Sequence, residues 1–142
     1  MLKFSRTLAV LCLPLALVAT ACGSDSKSDS KGAPDVSGKT YTVASTTDYT
    51  MVPDSKIELA FGADGTLAVS AGCNNMSSTY KIEGDVLKVP VFAATLKACE
   101  DPLMAQDKWV SDLLTSNPTI ASAGTDSIVI TGKSGSMTLK IK

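Results

Sequence analysis

From Thr40 to the end of the chain, polar and apolar side chains alternate in short runs rich in β-branched residues, and Gly, Asp and Asn cut the runs apart. A period of two turns one face of a strand to a core and the other to water, so this stretch reads as antiparallel sheet. The predicted strands are Thr40 to Ser45, Ile57 to Phe61, Thr66 to Ala71, Thr79 to Glu83, Val86 to Val91, Thr119 to Ser122, Ser127 to Thr131 and Ser136 to Ile141. Three tight connections join neighbours: Gly62-Ala63-Asp64-Gly65, Glu83-Gly84-Asp85 and Gly132-Lys133-Ser134-Gly135. Their glycines tolerate the backbone angles of hairpin turns, and an antiparallel meander is the economical topology.

One segment breaks the period. Between Asp101 and Leu114, Leu103, Val110 and Leu114 share a helical face with Met104 and Leu113 at its borders. Asp101 is the expected N-cap, Pro102 suits the first helical position, and Asn117-Pro118 stops the run. A single amphipathic helix of about three to four turns is expected to pack on the sheet, with Trp109 as a plug in the core or at its edge. The fold class is therefore α+β: a mostly antiparallel sheet of about eight short strands and one helix, over residues 38–142.

The first 21 residues have another character. Lys3 and Arg6 precede an apolar run from Leu8 to Val18, followed by the small residues Ala19-Thr20-Ala21, the order and size of a secretory signal. Leu8 to Ala21 is 14 residues, short of the roughly 18 to 20 that a spanning helix needs, and it contains Pro14. Ala19-Thr20-Ala21-Cys22 resembles the lipobox of bacterial lipoproteins, with Ala19 where Leu is usual. That resemblance implies that Cys22 is acylated, becomes the new N-terminus and anchors the chain to the cell membrane or outer membrane, facing outside the cytoplasm. The alternative is an ordinary cleavage site that leaves Cys22 free or disulfide-bonded. Residues 22–37, with the polar run Gly23 to Pro34, read as the lipidated cysteine and a tether that has nothing to pack into a core.

Removing the signal leaves 121 of 142 residues, room for one domain and a tail. Lys3 and Arg6 leave with it, so 11 basic residues face 14 acidic ones, and a balance of −3 disfavours nucleic acid. Arg6 is the only arginine and there is no histidine, which removes the fork that grips phosphate and the usual proton shuttle. Cys12 leaves with the signal and Cys22 is assigned to lipid, so Cys73 and Cys99 are expected to pair in an oxidising compartment. Cys99 as a nucleophile would lack a histidine to activate it, and a zinc site would lack ligands. No catalytic residue, metal or cofactor is expected.

Gly72-Cys73-Asn74-Asn75 after a strand, Tyr80-Lys81-Ile82-Glu83-Gly84-Asp85-Val86-Leu87, Thr95-Leu96-Lys97-Ala98-Cys99 and Pro102-Leu103-Met104 before a short helix resemble the META domain of HslJ-like heat-inducible envelope proteins. Tyr41 stands where that pattern often has Trp, and Ser78 where Gly often precedes the Tyr. The resemblance implies a compact α+β domain with a curved antiparallel sheet and one helix, a stress or antibiotic-tolerance association, and no established catalysis.

Two places are candidates for partner contact. Asn74 and Asn75 tolerate left-handed backbone and bond the neighbouring chain, as a structural turn locked by the disulfide or as the rim of a groove. Tyr49 and Met51, in a polar loop, are the candidate anchor of a binding surface. Glu100, Asp101 and Asp107 could form a carboxylate pair or a calcium site, but carboxylates at a helix start are also what the macrodipole favours. The leading reading is a non-catalytic, lipid-anchored envelope protein acting through structural or protein contacts. The alternative is a dedicated binding module, such as an inhibitor of an envelope enzyme or a carrier of a small ligand.

Overall fold

The computed structural model of the chain describes residues 32–142. The expected export signal, Cys22 and most of the expected tether lie outside the described residues. Ten strands and one helix follow: β1 Lys39–Thr47, β2 Glu58–Phe61, β3 Thr66–Ser70, β4 Asn75–Thr79, β5 Lys81–Glu83, β6 Val86–Lys88, β7 Ala93–Ala94, α1 Asp101–Thr115, β8 Thr119–Ser122, β9 Ser127–Gly132 and β10 Gly135–Ile141. All pairings are antiparallel, in the order β5-β6-β8-β9-β10-β1-β2-β3-β4-β7.

The expected meander is present twice, as β1 to β4 and as β8 to β10. The two are joined by pairing β1 with β10, where Tyr41 faces Ile141, so the two ends of the domain lie side by side in mid-sheet. The two ends of the sheet itself are also related. β5 continues β4 beyond a single residue, Tyr80, and β7 follows β6 after residues 89–92. The register is nearly continuous along both arms, from Glu83 opposite Val86 through Lys81 opposite Lys88 to Met76 opposite Ala94. β4–β5 and β6–β7 are therefore the two arms of one long hairpin, and because its arms terminate the sheet at both ends, the sheet curls back on itself. At the bend, the Tyr80 N–H donates to the Gly65 carbonyl at 2.8 Å and its hydroxyl to the Gly62 carbonyl at 3.1 Å. The Tyr80 ring meets Phe61 edge-on, with centroids 5.0 Å apart.

The curl encloses the core. Leu59, Phe61, Leu67, Leu87, Ile120, Ile130, Met137 and Leu139 point inward from the strands, joined by Ile57 just ahead of β2, and Val110, Leu113 and Leu114 of α1 pack onto them. The packed region begins before the predicted boundary at 38, because Val36 is only 2% exposed and Ala33 also lies against the core.

Three details depart from the sequence reading, each for a local reason. β7 and β4 up to Ser78 go beyond the predicted strands, since Asn75-Met76-Ser77-Ser78 and Ala93-Ala94 carry weak strand propensity; both are held by pairing with neighbours. The predicted strand from Val86 to Val91 stops at Lys88, ahead of Pro90, which has no N–H to give to a ladder. The helix N-cap is Glu100 in extended conformation rather than Asp101, which lies in the first turn. At the other end Asn117 takes a left-handed φ of 55°, and the Pro118 carbonyl accepts from the Leu87 N–H at 2.8 Å.

Candidate functional site

The Gly72-Cys73-Asn74-Asn75 turn connects β3 to β4 directly beneath α1. Asp107, only 7% exposed, points into it: one carboxylate oxygen accepts from the Cys73 N–H at 3.3 Å, the other from the Asn74 N–H at 2.8 Å and from Asn74 Nδ2 at 2.9 Å. Asn74 is buried as well, and its Oδ1 accepts from Thr95 Oγ1 at 2.9 Å and from the Lys97 N–H at 2.8 Å. The Asn75 N–H donates to Thr95 Oγ1 at 3.1 Å. Helix, turn and the strap at residues 95–97 are thus laced together through one asparagine. Cys73 and Cys99 close the same assembly with a disulfide, their Cα atoms 6.1 Å apart.

The neighbouring helical residue does the same job on the other side. Gln106 is fully buried; its Oε1 accepts from the Val52 N–H at 2.7 Å and its Nε2 donates to the Ala71 carbonyl at 2.6 Å and to Ser55 Oγ at 2.9 Å. This fixes the loop between β1 and β2. Tyr49 in that loop lies flat on Trp109, centroids 4.4 Å apart and planes 13° from parallel, and burial raises the Tyr49 phenol pKa above its ordinary value. Trp109 Nε1 donates to the Ser134 carbonyl at 2.9 Å.

Of the residues singled out in the sequence, Cys73, Cys99 and Asn74 come together in this assembly. Asn75 stands at its exposed margin. Tyr49 and Met51 are half-buried and packed against the domain's own core. Glu100 and Asp101 are exposed, whereas Asp107 is buried against the turn, so the three carboxylates have separate surroundings. Gln106 and Ser55 were not read from the sequence. The available signal was positional: Gln106 and Asp107 share a helix face with Trp109, Val110, Leu113 and Leu114, where polar residues need partners.

Gly72 holds a φ of 114°, and a Cβ there would sit 3.0 Å from Leu103 Cδ2 and 3.1 Å from Gln106 Nε2. Gly72→Ala therefore combines a strained backbone with overpacking under the helix. It is expected to cost on the order of 2 kcal/mol, read as a lower urea midpoint at unchanged slope.

Chemically, the polar side-chain atoms of Asn74, Gln106 and Asp107 are spent on one another and on the backbone, and what the geometry does is hold four segments of chain in place. Ser134 Oγ, next to the carbonyl that Trp109 meets, is the buried side-chain polar atom left without a partner among the described residues. Such an arrangement defines a disulfide-locked α+β scaffold. A family model, the META domain, matches residues 34–142, and the chain belongs to the META domain family. Two solved structures share the fold. A protein of Burkholderia xenovorans, solved by NMR, aligns with a TM-score of 0.61 at 15% identity, covering 100% of this chain and 99% of that one. A second NMR structure aligns with a TM-score of 0.60 at 19% identity, covering 73% of this chain and 89% of the other. No curated protein matches the chain.

Proposed function

We propose that this protein is a non-catalytic META domain lipoprotein of the cell envelope, held to a membrane by acylated Cys22 and acting in stress or antibiotic tolerance through structural or protein contacts. The observation that carries the reading is the run Ala19-Thr20-Ala21-Cys22 at the end of an export-type apolar segment, followed by a polar stretch before the core begins at Ala33 and Val36. Several acyl chains on one cysteine anchor stably, at about 0.8 kcal/mol per buried methylene, where a single chain would not. The use of Asp107, Gln106 and Asn74 as internal ties supports a scaffold rather than a reaction centre.

Two experiments test it. Cys22→Ala should abolish metabolic labelling by a fatty-acid analogue and release the protein from the membrane fraction; continued labelling and retention would exclude the anchor. Single substitution of Glu100, Asp101 and each lysine of the domain, at matched protein levels, should leave the tolerance phenotype within the range of wild type. Complete loss from one of these, with folding intact, would identify a reactive group.

A further inference from the structure

The far arm of the long hairpin ends the sheet at β7, whose outer edge pairs with no strand among the described residues. Residues 93–98 are all exposed, and Val91 (71%) and Leu96 (99%) are the barest large apolar side chains of the domain. The run between Lys88 and Lys97 carries no charge. The pairing with β4 settles which backbone groups are free. The Thr95 N–H donates to the Asn75 carbonyl at 3.0 Å, and the register sets Ala93 opposite Ser77. Because ladder bonds on an antiparallel pair alternate, Ala93 and Thr95 turn their amides toward β4, and Phe92, Ala94 and Leu96 turn theirs away. An unpaired, uncharged, apolar edge is a template for another strand.

We propose that this edge joins two copies of the chain, paired antiparallel about a two-fold axis at Ala94. The edge is complementary to itself in that register, which is what a two-fold contact requires. Ala94 meets Ala94 of the second copy, and each Leu96 meets the other copy's Phe92. Phe92 already rests partly on its own core, so the pairing extends an apolar layer over a leucine that is otherwise in water. Lys97, the charged residue that ends the run, falls opposite Val91, so no like charges face each other. Pro90 stands on the alternation where an N–H would point outward and has none to offer, which ends the new ladder there. Nothing in this contact depends on the lipid anchor.

The test is sedimentation of the full chain, purified as expressed and kept in an excess of non-ionic detergent micelles so that any acyl chains do not drive association, over a range of concentrations from the micromolar upward. Wild type should show a monomer–dimer equilibrium. Ala94→Lys and Ala94→Glu each set like charges on the axis and should weaken the dimer by about tenfold, while an equimolar mixture of the two should restore it. Leu96→Lys, at a side chain wholly in solvent, should weaken it without touching the fold, which the retained Cys73–Cys99 disulfide and circular dichroism report. A wild-type chain monomeric throughout, a dimer indifferent to these substitutions, or a mixture no tighter than the single variants would each overturn the proposal.

Discussion

Asp107→Ala should remove about 3–5 kcal/mol of folding stability, as much as truncating a large side chain of the core. The carboxylate is the acceptor for two backbone N–H groups and one side-chain amide, all at or near Cys73 and Asn74 and all away from bulk water. Truncation leaves the two backbone donors buried without a partner and the Asn74 amide with only weak contacts to the Cys73 and Met104 sulfurs, and an unmet buried donor costs about 1–3 kcal/mol. By contrast, the ion pairs among the described residues, Lys108–Asp112 and Lys142–Glu58, lie at the surface and should contribute little. Asp107→Asn keeps the shape but turns an NH2 toward donors, so it should fall between wild type and Ala. Thermal unfolding should report Asp107→Ala as a drop on the order of 15 °C. A variant within about 1 kcal/mol of wild type would mean that the disulfide and the ties of Asn74 and Asn75 to residues 95–97 hold the turn without the carboxylate.

What could be read in advance follows the strength of each local pattern. β10 alternates large apolar with polar residues, Leu59 and Phe61 of β2 point inward two positions apart, and β8 and β9 are rich in β-branched Thr, Ile and Val; these strands were legible nearly to the residue, as was the helix, whose apolar stripe sits between Pro102 and Pro118. β4 was not, because its one large apolar residue, Met76, is unbranched and sits among Asn and Ser, which carry weak strand propensity, so that pairing with β3 imposes the strand. Asn74 was legible as a turn residue, while its partner Asp107, 33 positions away, was not. On a linear reading Asp107 falls with Glu100 and Asp101 at the helix start; only the curl of the sheet brings the Cys73 turn beneath it. Tyr49 illustrates the same limit. An aromatic ring in a polar loop suits an exposed anchor equally well until Trp109 and Gln106, both on α1, are seen to draw the loop down. Short-range patterning thus gave the elements, and the long-range polar ties that position the candidate site came from tertiary placement.

Loss of the Cys73–Cys99 bond is the other large effect, and its size should depend on Asp107. Closing a loop of 26 residues restricts the unfolded chain by about 3.5 kcal/mol, so Cys73→Ser with Cys99→Ser should lower stability by that amount. The closed loop contains all of β4 to β7, which makes the bond a staple across the root of the long hairpin. Asp107 grips one side of that root at Cys73 and Asn74, and Asn74 Oδ1 grips the other at Lys97, two residues before Cys99. Staple and carboxylate therefore share the Cys73–Asn74 side of the root, and Asn74 carries the tie across to Lys97. Once the bond is gone the root can loosen, and the donors that Asp107 served regain water, so removing the carboxylate then costs less. A double-mutant cycle between the cysteine pair and Asp107→Ala, followed by urea unfolding, should give a combined loss smaller than the sum by about 1 kcal/mol or more. Additivity within about 0.5 kcal/mol would show that the two act on independent parts of the fold, and would remove the root of the hairpin as a single cooperative unit.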